Sequence, residues 1–288
     1  MHVALATNGT AITSETARRL KETDVCYVEV SLDAASPEMH DMFRGVPGSH
    51  SRSLEGIRNC VKEGIFTGIA TTVTKCNLKE VRDLISLGRS MKVDRFVHFN
   101  FIPTGRGRDK IRLDISPTER EGLLQILFAE SQVPGIEILS TAPQFGRLVS
   151  EMSCGNFAAP THFYVGKAGR WGLRELVQFI GGCGAGRLYC AIQPNGLVTP
   201  CVFMPGLIVG NLRTSRFEEI WHESRVLKEL RNKDLLKPAC GECENRYVCG
   251  GCRARSLGYF LDYLGPDPGC TKNMNAWEEL KERLLEAA

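Results

Sequence analysis

The chain has 288 residues, 43% of them hydrophobic and 24% charged, which is enough to bury one large core or two modest ones. The net charge is only +3 with acids and bases interspersed, so no nucleic-acid-binding face is predicted, and no apolar run is long enough to span a bilayer. No secretory leader is recognisable, so a soluble cytoplasmic protein is expected.

Residues 1–140 alternate between β-branched runs and amphipathic helical stretches. The predicted strands are residues 2–7, 26–33, 68–74, 96–102 and 135–139. Helix-start signals lie between them: Ser36 before Pro37, Asn77 three residues before Glu80, and Ser116 three residues before Glu119. Strands that alternate with helices predict βα units and a parallel sheet, so the fold class is α/β, either barrel-like or doubly wound.

Polar residues follow four of the predicted strands, at residues 7–9, 31–33, 74–77 and 103–107. Active groups of parallel sheets lie at the carboxyl ends of the strands, so a shared site is expected there. Met1 is followed at once by strand residues, whereas a βα sheet normally begins with a complete unit. The sequence therefore looks like a fold that is entered partway through.

The second half of the chain divides into two further segments. Residues 141–182 are rich in glycine and aromatic residues without a clear period, and are interpreted as a linker or a substrate-facing segment. From residue 183 onward glycine, proline and cysteine become frequent, which predicts a small ligand-stapled domain over 183–288. One helix is predicted at 217–232 and a last one at 274–286.

Twelve cysteines are present, and eight of them crowd into residues 183–270: Cys183, Cys190, Cys201, Cys240, Cys243, Cys249, Cys252 and Cys270. Eight thiolates are two sets of four, which suit two zinc ions or two four-iron clusters. The wide gaps in one half favour clusters, with zinc and disulfides as alternatives. Cys26, Cys60, Cys76 and Cys154 are predicted to be buried small hydrophobes, with a substrate or cluster contact as a second interpretation of Cys154.

The cysteine spacing resembles the SPASM domain of radical S-adenosylmethionine (SAM) enzymes. It runs Cys-x6-Cys-x10-Cys, then Cys-x2-Cys-x5-Cys-x2-Cys, then a last Cys270, with "QPNGLVTPC" and "CGGCRAR" between. The final short spacing has two residues where the family more often has three. The resemblance implies two auxiliary [4Fe-4S] clusters, one held by Cys183, Cys190, Cys201 and Cys252, the other by Cys240, Cys243, Cys249 and Cys270.

About residues 1–110 resemble the partial TIM barrel of the same family, through "LATNG", "VEVSLDAASPEMHDMFRG", "TTVTKCN" and "FNFIPTGRGRD". The resemblance implies SAM as a cofactor, with Ser31 and Arg52 holding its ribose or carboxylate and Asn8 and Asn77 nearby. Each position also has an ordinary interpretation. Asn8 is a turn former, Asn77 a helix cap and Arg52 a solvated helix charge.

Two motifs of that family do not occur in the sequence. They are the Cys-x3-Cys-x2-Cys run that binds the catalytic cluster and the Gly-Gly-Glu turn that binds the SAM amine. The barrel is therefore expected to be truncated, lacking its first two βα units, and the question whether this chain is an enzyme stays open.

Within the family, "CGGCRARSLGYFLDYLGPDPGC" and "PTGRGRD…SPTER" look most like enzymes that trim iron-tetrapyrrole side chains in alternative haem biosynthesis. Peptide-maturing SPASM enzymes are the next most similar. The resemblance implies an oxidoreductase that acts on a tetrapyrrole or a peptide and is reduced by a protein such as a ferredoxin or flavodoxin. A non-catalytic iron–sulfur protein for electron transfer or partner binding, and a zinc-stapled interaction module, are the alternatives of other classes.

Overall fold

The structure is a computed structural model that describes residues 2–153 and 182–286. The chain divides into two compact units. One unit contains the residues up to Phe101 together with Gln125–Thr141, and the other contains Ile102–Leu124 together with the residues from Ala142 onward. Cys154 and most of the segment 141–182 lie outside the described residues.

The first unit is built on a parallel sheet of five strands. They are β1 (Val3–Thr7), β2 (Val25–Ser31), β3 (Phe66–Val73), β4 (Arg95–Asn100) and β5 (Glu137–Ser140). Each strand pairs with its neighbour in sequence, in the order β1-β2-β3-β4-β5. The prediction of an α/β fold with a parallel sheet is confirmed, and each predicted strand is present within about two residues at either end.

Helices connect these strands, as the alternating pattern predicts. They are α1 (Ser14–Glu22), α2 (Pro37–Arg44), α3 (Ser49–Lys62), α4 (Val81–Ser90) and α5 (Pro117–Ser131). Val28 and Val30 of β2, Ile69 of β3 and Phe96 of β4 are fully buried, as is Leu84 of α4. Most residues of β3 and β4 are buried, polar ones included, so these central strands are covered on both faces of the sheet.

One of the predicted helix-start motifs forms as predicted and a second does not. The Ser116 amide donates to Glu119 Oε2 at 2.7 Å and the Glu119 amide donates to Ser116 Oγ at 3.2 Å, which is a capping box at the start of α5. The box predicted from Asn77 and Glu80 is wrong. The Glu80 carboxylate instead accepts hydrogen bonds from the backbone amides of Ala35 and Ser36, each at 2.9 Å, just before the start of α2.

The second unit combines short strands with helices. Its antiparallel sheet consists of β6 (Ala191–Ile192), β7 (Leu197–Thr199) and β8 (Gly210–Asn211). Its helices are α6 (Pro143–Met152), α7 (Phe217–Glu223), α8 (Arg225–Arg231), α9 (Arg253–Phe260) and α10 (Met274–Glu286). Short 3-10 turns occupy Leu78–Glu80, Gly105–Leu113, Lys233–Leu235 and Thr271–Asn273.

The single helix predicted at 217–232 is two helices, and the prediction is wrong at Ser224. That residue has φ −59° and ψ 122°, an extended conformation that ends α7 and precedes α8. The Ser224 carbonyl accepts a hydrogen bond from the Lys228 amide at 3.0 Å, so Ser224 is the N-cap of the second helix. Serine is a weak helix-interior residue and a good terminal one, which explains why the helix breaks at Ser224 although the apolar period continues across it.

No helix among the described residues is both long enough and apolar enough to cross a bilayer.

Candidate functional site

The carboxyl edge of the large sheet carries the residues predicted to contact SAM. Ser31 is the last residue of β2 and is half-buried. Asn8 follows β1, is exposed, and accepts hydrogen bonds from the amide of Thr10 at 3.0 Å and from its hydroxyl at 2.9 Å. These bonds form a turn of the kind that asparagine favours.

Asn77 is fully buried and all of its amide atoms are engaged. Its Nδ2 donates to the carbonyl of Asp33 at 2.7 Å and to that of Thr72 at 2.9 Å, and its Oδ1 accepts the Thr74 amide at 2.8 Å. The side chain therefore joins the segment after β2 to the end of β3. Its role in the structure is to hold two strand ends together beside Ser31.

Arg52 lies in the first turn of α3 and is exposed. Its Nε donates to the carbonyl of Gly48 at 3.3 Å. The guanidinium is thus available to an anionic ligand, and the SAM contacts of Ser31, Arg52, Asn8 and Asn77 stay predictions.

A stability comparison separates the two asparagines. Asn77→Ala is expected to lower the free energy of unfolding by about 3 kcal/mol, because it leaves a buried amide, a buried carbonyl and a half-buried carbonyl without their partner. Asn8→Ala, which removes only exposed turn hydrogen bonds, is expected to cost less than about 1 kcal/mol. Chemical denaturation measures both variants. Equal losses would contradict the structural role of Asn77.

The structure also pairs Asp33, just after β2, with Arg44. The buried Asp33 carboxylate is 2.5 Å from Arg44 Nη2 and accepts the Thr72 amide at 3.0 Å. The pair therefore lies at the end of β2, where Asn77 also binds the Asp33 carbonyl. The sequence indicated Asp33 as a strand-end polar residue but did not indicate its partner, which lies at the far end of α2.

Four of the predicted ligands line one cavity in the second unit. Cys240, Cys243, Cys249 and Cys270, called here the second cysteine group, form its wall together with Arg147 and Lys272. Arg147 is buried and makes ion pairs with Glu121 and Glu151, so the cavity has a fixed cation at its side.

Three other predicted ligands belong to a separate apolar cluster. Cys201 and Cys252 are buried in it with Ala185, Met204 and Ala254, and Cys183 packs against it. Cys183, Cys201 and Cys252 are called here the first cysteine group. Cys190, the fourth predicted member, is half-buried directly before β6 and is not part of that cluster.

Cys249 and Cys252 are close in sequence, but Cys249 lines the cavity and Cys252 is buried in the apolar cluster. The interleaved ligand sets stay a prediction. The chain changes direction between them at Gly250 and Gly251, which have φ of +64° and +68°. A Cβ at Gly251 would lie 2.7 Å from the Cβ of Asp267 and 3.1 Å from Cys240 Sγ. Only glycine fits this left-handed, crowded turn, so the CGGC sequence is what sends Cys252 away from its neighbours.

Hydrogen-bond donors point at the sulfur atoms of both groups. The amides of Gly251 and Asp267 donate to Cys249 Sγ at 3.4 Å and to Cys240 Sγ at 3.5 Å. The Tyr189 hydroxyl lies 3.8 Å from Cys201 Sγ as a donor. Donors of this kind stabilise an anionic sulfur, as an iron–sulfur cluster requires.

Burial controls the protonation of these thiols. It raises the pKa of Cys201 and of Cys270 to about 11, and it raises the pKa of Cys249 and of Cys252 further. The buried thiols are therefore protonated in the metal-free protein, and thiolates persist only where a bound cation compensates their charge. Soft, buried, donor-supported thiolates fit an iron–sulfur cluster.

No three His, Cys, Asp or Glu side chains in residues 2–153 and 182–286 converge on a point that could hold one metal ion. A four-iron cluster makes a different demand, because each of its four thiolates binds a different iron.

A buried ionic network, which the sequence did not predict, lies next to the cysteines. The carboxylate of Asp267 is fully buried and accepts four hydrogen bonds. Its Oδ1 accepts Arg255 Nε at 3.1 Å and the Gly269 amide at 2.8 Å, and its Oδ2 accepts the Cys252 amide at 2.8 Å and Gln144 Nε2 at 2.9 Å. Arg255 Nη1 is also 2.8 Å from the buried carboxylate of Asp114.

The charges in this network are balanced. Burial acts to raise the pKa of Asp267, but the Arg255 charge and the amides of Cys252 and Gly269 more than offset it and hold that pKa below its usual range. Burial likewise acts to raise the pKa of Asp114, and the charges of Arg255 and Arg120 hold it below its usual range. Both carboxylates are therefore ionised at neutral pH.

The remaining cysteines have no common role. Cys60 is buried in α3, where burial raises its pKa to about 11, as expected for a small hydrophobe. Cys26 is half-buried and donates to the Val3 carbonyl at 3.0 Å. Cys76 is exposed, so the prediction that it is buried is wrong: it lies in the turn that follows β3.

Two family models match the chain. The radical SAM superfamily matches residues 1–88, and SPASM, an iron-sulfur cluster-binding domain, matches residues 183–244. The first match contains β1 to β3, and the second contains the strands β6 to β8 and five of the eight cysteines in the predicted ligand sets.

The chain is also similar to curated proteins and to solved structures. It is 34% identical over 274 residues to an AdoMet-dependent heme synthase of Methanosarcina barkeri, covering 94% of this chain and 74% of that protein. It is 30% identical over 293 residues to the mycofactocin maturase MftC of Mycobacterium tuberculosis, covering 98% and 67%. The structure of Streptococcus suis SuiB bound to S-adenosylmethionine superposes with a TM-score of 0.67 at 16% identity, covering 93% of this chain and 58% of that one.

Proposed function

This chain belongs to the radical SAM superfamily, in the branch that carries a SPASM domain. We propose that it is an oxidoreductase-type protein of haem biosynthesis that modifies iron-tetrapyrrole side chains. The observation that carries the proposal is the likeness to the Methanosarcina barkeri heme synthase, which extends over 94% of this chain and so over both units. SAM and iron–sulfur clusters are the cofactors of this family. In members that carry the Cys-x3-Cys-x2-Cys run, bound SAM supplies the radical that abstracts hydrogen from the substrate.

The second unit would hold two auxiliary clusters. Cys183, Cys201 and Cys252, with Cys190 as the predicted fourth ligand, would hold one, and the second cysteine group would hold the other. The buried thiols, the donors aimed at Cys201, Cys240 and Cys249, and Arg147 beside the second group all support clusters that carry electrons within the protein. Such clusters imply a reducing protein partner, such as a ferredoxin or flavodoxin. Their need for reduced thiols supports a place in the cytoplasm.

The first unit would contribute to the SAM site. Ser31 offers a hydroxyl at the carboxyl edge of the sheet and Arg52 an exposed guanidinium for a carboxylate. Asn77 would act by holding the strand ends beside Ser31.

The cluster part of the proposal predicts the metal content. Anaerobic reconstitution should give about eight irons per chain with an equal amount of acid-labile sulfide, because two sets of four cysteines each hold four irons. Iron and sulfide determinations, together with zinc analysis, measure this. Stoichiometric zinc without sulfide would replace the clusters by zinc sites.

The substrate part is tested by binding. Difference absorption spectroscopy of the reconstituted protein with an iron porphyrin that bears propionate chains should show a saturable, one-to-one change. No change at porphyrin concentrations far above that of the protein would overturn the tetrapyrrole assignment. It would favour the second candidate, maturation of a peptide, which the 30% identity to the mycofactocin maturase supports.

A further inference from the structure

We propose that Asp267 is a positioning residue that couples the two cluster sites. The inference rests on the proposed clusters and goes beyond them by assigning a role to a side chain that is not a ligand. Asp267 is fully buried and lies in the segment between α9 and Cys270.

The contacts of Asp267 reach both cysteine groups. Its Oδ2 accepts the amide of Cys252, a member of the first group, at 2.8 Å. Its own amide donates to the sulfur of Cys240, a member of the second group, at 3.5 Å. A single residue therefore fixes the backbone of one predicted ligand and supplies a hydrogen bond to a ligand of the other site.

The carboxylate is itself held on its other sides. Arg255 Nε and the Gly269 amide bind Oδ1, and Gln144 Nε2 shares Oδ2 with the Cys252 amide. Because Arg255 also pairs with Asp114, the carboxylate is part of a fully buried network of ion pairs and hydrogen bonds that holds it beside the cysteines. Its negative charge lies within the low-dielectric region that both clusters would share.

A fixed negative charge beside a cluster disfavours the more negative, reduced form. Removal of the charge by Asp267→Asn should therefore raise the midpoint potentials of both clusters. We expect the ratio of reduced to oxidised cluster at a fixed potential to increase about tenfold for each, equal to about 59 mV for a one-electron couple. Anaerobic redox titration followed by electron paramagnetic resonance (EPR) measures the two potentials, and iron content and thermal unfolding are measured alongside.

A milder variant predicts the opposite sign. Gln144→Met removes one donor to the carboxylate while it keeps the charge and the approximate volume, so it strengthens the field of Asp267. Both potentials should fall, with about a threefold decrease in the reduced-to-oxidised ratio, since one neutral hydrogen bond is lost. This variant decides the question if Asp267→Asn loads no iron.

Asp262→Asn is the matched control. Its carboxylate lies in the same connecting segment, but it pairs with Lys237 at 2.6 Å and accepts the Leu264 amide. The same chemical change there should leave both potentials unmoved.

The coupling role would be overturned if Asp267→Asn or Gln144→Met changed the midpoint potential of only one cluster. It would also be overturned if these variants lost stability and iron while the remaining clusters kept their midpoint potentials. The proposed clusters would survive either result. A wild-type protein that binds no iron would overturn the clusters and the coupling together.

Discussion

The double variant Cys249→Ala/Cys252→Ala should retain almost no iron after reconstitution, whereas Cys201→Ala/Cys252→Ala should retain about four of about eight irons. The reason is the division of the ligands. Cys249 lines the cavity of the second group and Cys252 lies in the apolar cluster of the first, so the first double variant damages both sites. The second removes two ligands from the same site and should be no worse than Cys252→Ala alone.

Iron and sulfide analysis of the single and double variants gives the result directly. A zinc knuckle formed by Cys240, Cys243, Cys249 and Cys252 makes the opposite prediction. In that case Cys249→Ala/Cys252→Ala would lose a single site, and Cys201→Ala/Cys252→Ala would lose two. The pair of double variants thus distinguishes the two arrangements even if a single variant lowers loading at both sites.

A protein of these 288 residues should not cleave SAM by itself. Cleavage requires an iron with an open coordination position, and each predicted set has four cysteines that close its cluster. No Cys-x3-Cys-x2-Cys occurs among the twelve cysteines. Anaerobic incubation of the reconstituted protein with SAM and dithionite, followed by chromatography for 5′-deoxyadenosine, should give no product above the protein-free control.

Multiple turnovers in that assay would mean that one cluster is bound by fewer than four cysteines and has an iron open to SAM, so that its predicted ligand set is wrong. A second arm tests what the chain does when the motif is supplied. If a segment that carries Cys-x3-Cys-x2-Cys is joined ahead of residue 1, cleavage supports the enzyme. Cluster loading without cleavage supports a non-catalytic iron–sulfur protein.

Much of the fold could be predicted because its signals are local. β-Branched runs bounded by glycine and polar residues indicated all five strands of the large sheet, and Ser116 with Glu119 indicated the start of α5. The prediction was wrong where distant partners compete with local ones. Asn77 and Glu80 have capping-box spacing, but neither side chain binds the other residue's backbone. The Asn77 amide binds the carbonyls of Thr72 and Asp33, and the Glu80 carboxylate binds the amides of Ala35 and Ser36.

The candidate site could be predicted only as far as its cysteines. Cysteine spacing indicated a metal or cluster site, because thiolates are characteristic metal ligands. The interleaved sets come from the family likeness and stay a prediction. The network of Asp114, Arg255 and Asp267 carries no such pattern. Its contacts join residues far apart in sequence, such as Tyr259 and Asp114 at 2.6 Å, and an isolated Asp or Arg does not indicate that it will be buried. Helix α6 was also missed, although Pro143 and the apolar residues Phe145, Leu148 and Val149 have helical spacing.

The separation of Cys249 from Cys252 at the two left-handed glycines has a consequence for the order of assembly. The predicted first set would close a loop from Cys183 to Cys252, and this loop would enclose Cys240, Cys243 and Cys249 of the predicted second set. Formation of one cluster brings the ligands of the second cluster near one another. Much of the chain entropy that opposes formation of the second cluster has then already been lost. Iron loading is therefore expected to be cooperative. At limiting iron, chains with both clusters and chains with none should outnumber chains that carry one.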